Sequence, residues 1–332
     1  MKNTFSSLLI LFLSVAVTLA ASGNEINKNF HKSFDVRKGC RLCLEHGDGD
    51  VTITPWDKDV VDVKVHYRVE YKSFGLTGKH DFDVEFSESD DTIYVIGHEK
   101  SHVSIGYHSF KQYEYTYTIF APGYLVLDIR GEDGNVDIEN RNGNIECNIE
   151  DGNLNLKNIS SAKTRIELED GKLQINNMKS ELRLNVDDGN IVINESKIPK
   201  CRIKLNDGNL RIKRTHGNFD ISIDDGDIFL DHVKTSRLFI TSADGNIDCN
   251  LLKTANLDVD IKTDDGDVNL DIEKGTSASF SIKTDDGRIG IDLPDSKNFS
   301  KKHNRVSGEI YGGDGRIRIN TNDGNVTLRE FR

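Results

Sequence analysis

A short unit recurs through most of this 332-residue chain: Asp-Gly, one polar residue, then an apolar-x-apolar stretch. It is seen as DGDVTI from position 48, DGNVDI from 133, DGNLNL from 151, DGNIVI from 188, DGDVNL from 265 and DGNVTL from 323. From Gly134 to Gly287 the successive motif glycines are 9, 9, 19, 18, 19, 9, 9, 19, 21 and 21 residues apart. Internal periods near twenty residues are typical of stacked repeat architectures.

The spacing predicts a β-solenoid with a coil of about 18–21 residues, each coil holding two short strands and two turns. Residues 190–207 illustrate the pattern, since the pairs Ile191/Ile193 and Ile203/Leu205 alternate with polar residues and should face inward. An antiparallel meander with Asp-Gly hairpin turns is the competing interpretation. Identical corners at a full-coil period favour stacking.

The segment IKTDDG occurs twice, at 261–266 and 282–287, and is predicted to form consecutive corners of one stack. Gly266 and Gly287 should adopt positive φ, and the carboxylates of Asp265 and Asp286 should cap the backbone N–H groups of their turns. The preceding aspartates have no such role. Candidate calcium ligands are therefore Asp264, Asp265, Asp285 and Asp286. A calcium-binding β-roll is an alternative, although the G-G-x-G-x-D motif of such rolls is missing.

The first 21 residues, with Lys2 before an apolar run from Leu8 to Val17, have the pattern of a secretory signal peptide. Residues 22–57 then contain a first β-repeat segment. Residues 58–121 break the rhythm with longer alternating stretches, which predict an antiparallel β cap on the solenoid. Residues 122–332 form the predicted Asp-Gly repeat solenoid. No later segment is apolar enough for a membrane helix, so the chain should be exported, to the periplasm, the cell surface or the medium.

Two longer stretches carry a family resemblance: FDVRKGCRLCLEHGDGDVTITPWDKDVVDVKV and YTYTIFAPGYLVLDIRGEDGNVDI. In these, a Gly-Asp-Val strand, a Trp-Asp turn and an alternating strand precede a Pro-containing stretch that opens the repeats. This order resembles the bacterial "putative adhesin" β-strand-repeat domain of unknown function, an Asp/Asn-Gly repeat family. The resemblance implies a secreted or envelope-associated β-solenoid without known catalysis.

The formal charge of -12, with no clustered Lys/Arg stripe, argues against nucleic acid or anionic lipid as partners. An envelope protein or a glycan is the expected partner, with end-to-end self-association also possible. Five cysteines give no readable disulfide framework, and Cys147 and Cys249 are predicted to be core residues.

The segment GHEKSHVSIGYH at 97–108 contains the zinc-protease pattern H-E-x-x-H, which makes His98, His102 and His108 candidate zinc ligands. In zinc proteases the two histidines lie one helical turn apart, whereas the flanking TIYVIG and VSIGYH are strand-like. A histidine-rich connection between strands is the favoured interpretation, and a zinc-dependent hydrolase is the alternative.

Taken together, the residues predict an all-β protein: a single β-solenoid with an N-terminal antiparallel cap, acting as an adhesin-like, structural or interaction module. No catalytic residue and no cofactor are predicted.

Overall fold

The computed structural model describes residues 24–75, 80–101 and 106–332, and the predicted signal peptide lies outside them. These residues form strands, turns and bends, with no helix among them. Within that part of the chain, nothing has the length and apolar character of a helix that crosses a membrane. The predicted all-β class is confirmed.

The first thirteen strands are β1 (Asn24–Asp35), β2 (Arg41–Glu45), β3 (Asp50–Trp56), β4 (Val60–Gly75), β5 (His80–Ser89), β6 (Thr92–Ser101), β7 (Gly106–Pro122), β8 (Val126–Asp133), β9 (Val136–Arg141), β10 (Ile145–Asp151), β11 (Leu154–Ile159), β12 (Lys163–Met178) and β13 (Glu181–Asn194). The remaining described strands are β14 (Lys197–Asp207), β15 (Leu210–Lys213), β16 (His216–Asp225), β17 (Ile228–Lys234), β18 (Arg237–Asp244), β19 (Ile247–Leu252), β20 (Asp258–Asp265), β21 (Val268–Glu273), β22 (Ala278–Asp286), β23 (Ile289–Asp292), β24 (Ser296–Lys302), β25 (Arg305–Ile310), β26 (Gly315–Asp323) and β27 (Val326–Phe331).

Successive coils stack through parallel strand pairing on two faces. On the face before the Asp-Gly corner, β14 pairs with β16, and β16 with β18. On the face after the corner, β15 pairs with β17, and β17 with β19. An antiparallel meander would have given the opposite strand direction. The predicted solenoid-like stacking is therefore confirmed for these coils.

The core is the narrow space between the two faces. The inward pairs predicted from alternation are buried there, with Ile191, Ile193 and Leu205 at 0% exposure and Ile203 at 1%. Both predicted core cysteines, Cys147 and Cys249, are also buried. Apolar side chains point inward from every second residue because strand side chains alternate between faces.

At the N-terminal end the pairing changes direction. The coil of β2 and β3 pairs in parallel with β8 and β9 on one side, and with β6 and β7 on the other. Beyond it, β4 pairs antiparallel with both β7 and β1, and β5 pairs antiparallel with β6. Strand β1, at the start of the predicted first repeat segment, therefore pairs with the antiparallel strands.

At the C-terminal end the order of coils in space differs from their order in the chain. The coil of β26 and β27 pairs with β20 and β21 on one side and with β22 and β23 on the other. The prediction that the two IKTDDG segments form consecutive corners is therefore wrong. The corner at Asp323 lies between them, since Asp323 pairs with both Asp265 and Asp286.

Candidate functional site

The Asp-Gly corners form one edge of the solenoid, and close backbone approach explains their glycines. Gly324 has φ +138°, and a Cβ there would collide with the carbonyl oxygen of Gly266 in the coil below. Gly208 stands in the same relation to Gly189, with φ +130°. The positive φ and the close contact both exclude larger residues. The sequence predicted the positive φ, but it could not predict the contact between coils.

A ladder of hydrogen bonds runs along the residues that follow the corner glycines. The Oδ1 atom of Asp267 accepts the backbone N–H of Asn325 at 2.7 Å and its Nδ2 group at 3.1 Å. Asn246 accepts the backbone N–H of Asp267 at 3.1 Å. Each such side chain thus satisfies an N–H of the neighbouring coil.

The corner aspartates Asp265 and Asp286 do not have the capping role that the sequence predicted. Among the described residues, no backbone N–H donates to the carboxylate of Asp265 or Asp286, so the prediction that these two cap their turns is wrong. The turn is held instead by the threonine of IKTDDG. Thr263 donates its hydroxyl to the carbonyl of Asp265 at 3.0 Å, and Thr284 donates to that of Asp286 at 3.1 Å. Both threonines are buried.

The aspartates immediately before the corner glycines stack in register along the edge. In stacking order they are Asp133, Asp151, Asp170, Asp188, Asp207, Asp225, Asp244, Asp265, Asp323 and Asp286. The pKa values of Asp170, Asp207 and Asp244 are raised, first by desolvation in the stack and then by the neighbouring aspartates. These three carboxyls thus hold their protons more tightly than an isolated aspartate.

The upstream aspartates of the DDG motifs have partners of their own. Asp264 accepts a hydrogen bond from Asn322 Nδ2 at 2.9 Å, and Asp285 pairs with Lys283 at 2.7 Å. Because the coil of β26 and β27 intervenes, the Asp264/Asp265 and Asp285/Asp286 pairs are two coil steps apart, about 10 Å. Within the described residues, no three His, Cys, Asp or Glu side chains are arranged to hold a metal ion. The calcium assignment stays a prediction.

The H-E-x-x-H segment is extended where the structure describes it. His98 and Glu99 lie in β6, which pairs antiparallel with β5. His98 Nε2 is 3.7 Å from Glu85 Oε2, and Glu99 Oε1 accepts a hydrogen bond from the Tyr67 hydroxyl at 2.8 Å. The backbone at His98 and Glu99 is therefore extended, whereas the zinc motif of proteases lies on a helix.

The other two zinc candidates add no side-chain geometry. His102 lies outside the described residues, and of His108 only the backbone, in β7, is described. The zinc assignment of these histidines therefore stays a prediction.

A buried polar cluster, which the sequence did not reveal, lies behind β6 at the N-terminal end. His46 is fully buried, and within the described residues neither ring nitrogen has a hydrogen-bond partner. Its ring lies 6.1 Å from that of Tyr117, whose hydroxyl is 2.5 Å from that of Tyr115. Gly131 and Gly97 leave the room that the imidazole and the two hydroxyls occupy. The available signal in the sequence was a glycine, Gly97 or Gly131, at a position where strand alternation turns the side chain inward.

Burial sets the protonation of this cluster. It lowers the pKa of His46 to about 4, so the ring is neutral near pH 7. It also raises the pKa of the Tyr115 and Tyr117 hydroxyls, an effect reinforced for Tyr115 by its neighbour. All three groups are held in their uncharged forms. The cluster can form hydrogen bonds, but it offers neither an anionic nucleophile nor a group that titrates near neutrality.

Comparison with known proteins places this architecture in a family. Residues 41–219 and 215–329 each match the family model described as Toastrack DUF4097. The chain belongs to the Toastrack DUF4097 family. The predicted resemblance to a β domain of unknown function is confirmed, while the narrower Asp/Asn-Gly repeat family stays a prediction. A search of curated proteins gave no match.

Three solved structures similar to this Toastrack chain have the name "putative adhesin". The one from Parabacteroides merdae ATCC 43184 is 13% identical, with 93% of this chain and 98% of that chain covered and a TM-score of 0.41. The one from Parabacteroides distasonis ATCC 8503 is 13% identical, with 92% and 97% covered and a TM-score of 0.38. The one from Bacteroides fragilis NCTC 9343 is 11% identical, with 91% and 97% covered and a TM-score of 0.35.

All five cysteines of the Toastrack chain lie within the described residues, and all five are free there. Burial raises the pKa of the Cys147, Cys201 and Cys249 thiols, and burial together with Asp128 raises that of Cys43. A reactive thiol needs a lowered pKa, and the surroundings of these four thiols have the opposite effect.

Folding also gathers cations that are scattered in the sequence. Arg165 pairs in register with Arg183, and Arg183 with Arg202, on three successive coils. All three side chains are exposed. The premise that the chain has no cationic stripe is therefore wrong for the folded Toastrack domain, although exclusion of nucleic acid stays a prediction. Aligning the repeats on their corner aspartates would have placed the three arginines in one column.

Proposed function

We propose that this Toastrack chain is a non-enzymatic, exported, adhesin-like interaction or structural module of the bacterial cell envelope. The observation that carries the proposal is the uninterrupted stack of coils from β8 to β21, joined by short corners. Such a stack presents two continuous sheet faces, on which outward side chains form columns about 4.8 Å apart. Extended regular surfaces of this kind are what solenoid proteins use for binding.

The chemistry of the polar residues supports a role without catalysis. The buried His46 and tyrosine cluster is held neutral, and the thiols with a resolved pKa shift are held protonated. The corner aspartates face solvent as a regular column. A catalytic site would need at least one group poised to gain or lose a proton near its working pH.

The antiparallel strands at the N-terminal end are proposed to cap the solenoid. Strands β6 and β7 pair with the otherwise open edges of the coil formed by β2 and β3. Open edges of a sheet invite pairing with other chains, so covering them favours a solitary rod. We propose end-to-end association only where such a cover is removed.

The proposed function can be tested with purified protein that begins at residue 22. Fluorescently labelled protein is added to envelope fractions of the source bacterium, before and after protease treatment and before and after periodate oxidation of glycans. Saturable binding that one treatment abolishes is the expected result. Binding that stays linear with concentration on every preparation would contradict an interaction role.

The alternative of a zinc-dependent hydrolase needs a separate experiment. Zinc content and peptidase activity are measured for the wild type and for the His98→Ala/His102→Ala variant. We expect neither quantity to depend on these residues, because the described part of the segment is a strand. Stoichiometric zinc that the double variant loses, together with lost peptidase activity, would establish the hydrolase instead.

A further inference from the structure

We propose that the column of Arg165, Arg183 and Arg202 is the binding surface for a linear acidic polysaccharide, one bearing carboxylate or sulfate groups. This inference rests on the proposed function, since it names the surface and the ligand class of that interaction role. It starts from an imbalance of charge within an otherwise acidic protein, whose formal charge is -12.

The middle arginine of the column is the least compensated. Arg165 donates to Glu167 at 2.6 Å, and Arg202 lies 3.3 Å from Asp220. Arg183, between them, forms no ion pair or hydrogen bond among the described residues. Neighbouring guanidinium groups about 5 Å apart in water repel by roughly 0.8 kcal/mol. A bound anion would relieve that repulsion, so the free surface favours a negatively charged ligand.

Further cations lie along the same groove. Lys163 and Lys200 are exposed, and within the described part of the chain neither forms an ion pair. They line, with the three arginines and with Glu181, a cavity of about 350 Å³. An adjoining cavity of about 440 Å³ shares Lys200 and Arg202 and extends the groove to Arg237.

A local irregularity shapes this second cavity. The register between β14 and β16 shifts between Ile198 and Cys201, so that Pro199 and Lys200 bulge from the sheet. Bulges of this kind redirect side chains at binding sites. The guanidinium of Arg237 lies 4.2 Å from the centre of the Phe239 ring. That cation–π contact holds Arg237 in place, which reduces the entropy that binding would cost.

The dimensions of the column favour a thin ligand. Three coils span about 10 Å along the solenoid axis. On the same outward position of the neighbouring coils, Glu146 precedes Arg165 and Asp220 follows Arg202. A broad acidic surface, such as duplex DNA or a folded protein, would therefore also lie over carboxylates. A single polysaccharide chain is narrow enough to meet few of them, chiefly Glu181 in the first cavity and Asp220 in the second.

Two other thin polyanions fit less well. Single-stranded nucleic acid depends on aromatic rings on which bases stack, and the Phe239 ring is already covered by Arg237. An extended acidic peptide gains affinity by adding a strand at an open sheet edge, whereas β12, β13 and β14 are paired on both sides. Charge-assisted bidentate contacts from arginine suit carboxylate and sulfate equally.

The test compares two triple variants of the same charge. Arg165→Gln/Arg183→Gln/Arg202→Gln removes the column. Arg316→Gln/Arg318→Gln/Arg329→Gln is the matched control, because each of those arginines already pairs with an aspartate of the neighbouring coil. Probes are polygalacturonate for carboxylate, dextran sulfate for sulfate and plain dextran as the uncharged control, measured by calorimetry at 0.15 M salt. Circular dichroism checks that both variants fold.

The wild type should bind at least one charged polysaccharide but not plain dextran. The column variant should lose at least about tenfold in affinity and the control variant less than about twofold. Equal losses in both variants, or no binding to either charged probe, would overturn the inference. So would tighter binding of an oligothymidylate or of polyglutamate than of both polysaccharides. Envelope binding that survives in the column variant would overturn only this surface, whereas its absence in the wild type would overturn the proposed function.

Discussion

The middle coils and the C-terminal end of the solenoid follow the same stacking rule by different routes of the chain. In the middle, Arg202 and Asp220 face each other from coils that are 18 residues apart. At the C-terminal end, Arg316 and Asp258 face each other across 58 residues. Register, buried pairs and corner glycines are nevertheless the same. Coils are therefore matched by their surfaces and not by their order in the sequence.

The two ends share one device. At each end, one coil is enclosed between two others because the chain passes beyond it. The enclosed coil comes first in the chain at the N-terminal end and last at the C-terminal end. At the N-terminal end β2 and β3 lie between β8/β9 and β6/β7. At the C-terminal end β26 and β27 are the enclosed coil. Within the described residues, the buried histidine and tyrosine cluster belongs to the N-terminal end.

The largest effect on stability is expected from substitution of a corner glycine. Gly208→Ala, in a middle coil, and Gly324→Ala, in the enclosed end coil, should each lower the free energy of unfolding by about 4 kcal/mol. Both have positive φ and a neighbouring carbonyl where the methyl group would go. Urea denaturation followed by circular dichroism measures the loss.

Gly290→Ala is the matched control, since its φ is not positive and the nearest atom to the new Cβ is 3.8 Å away. It should change stability by less than about 1 kcal/mol. If Gly324→Ala were as mild as this control, the enclosed coil would not be stacked as tightly as the middle ones.

The second prediction concerns the buried His46 of the N-terminal end and uses the pH dependence of the free energy of unfolding. The folded-state pKa of His46, about 4, lies below its unfolded value near 6.5. The unfolded chain therefore binds more protons between these values, and stability falls as the pH drops from about 6.5 to 4, by up to about 3 kcal/mol. Comparing urea denaturation at pH 7 and pH 4 for the wild type and His46→Gln isolates this contribution.

The variant should lose less stability than the wild type over that interval, by about 3 kcal/mol. His216→Gln, at an exposed position, serves as the control and should follow the wild type. The opposite sign applies to the corner aspartates. Because their folded pKa values are raised, Asp170, Asp207 and Asp244 favour the folded state as the pH falls. Identical pH profiles for wild type and His46→Gln would show that His46 is not buried in neutral form.

A third experiment tests the C-terminal end by exposing the edge of strand β22. Strand β25 covers β22 by antiparallel pairing, and Ser296 lies opposite Ile310, so a short Gly-Ser linker can replace the hairpin of β24 and β25. The open edge of β22 should then pair with a second copy. Sedimentation velocity should show a concentration-dependent dimer, whereas Phe299→Ser, which leaves the hairpin in place, should stay monomeric. A monomeric deletion variant would mean that this edge needs no cover.

The sequence predicted the regular part of the molecule well because its cause is local. Alternation in 190–207 sets which side chains face inward, and the period of the corners sets the stacking. The enclosed coil was missed because the spacing assumes that neighbours in sequence are neighbours in space. A signal existed: Arg316, Arg318 and Arg329 complement Asp258, Asp260 and Asp271, their partners in the folded chain.

The corner chemistry was predicted only in part, for the same reason. Positive φ at Gly266 and Gly287 follows from the local turn. The hydrogen bond from Asn325 to Asp267 joins two coils, so it depends on which coils meet. Arg183, which has no ion pair among the described residues, and the buried His46 likewise depend on neighbours that are distant in the sequence. Residues that act within one turn can be inferred from a motif, whereas those that act between coils need the stacking order.

The smallest expected effect concerns cations at the two IKTDDG corners. If the upstream aspartates are satisfied by protein partners, EGTA should change the melting temperature by less than about 2 °C. Asp264 has Asn322, and Asp285 has Lys283. Added calcium should also leave the Asp264→Asn/Asp285→Asn variant and the wild type equally stable. A fall of more than about 10 °C with EGTA in the wild type alone would instead establish a calcium-binding β-roll.

Since the enclosed coil separates the two corners by two steps, any such calcium would also have to use ligands from that coil. Asp323, which lies between Asp265 and Asp286, is the residue whose replacement by Asn would then abolish the effect.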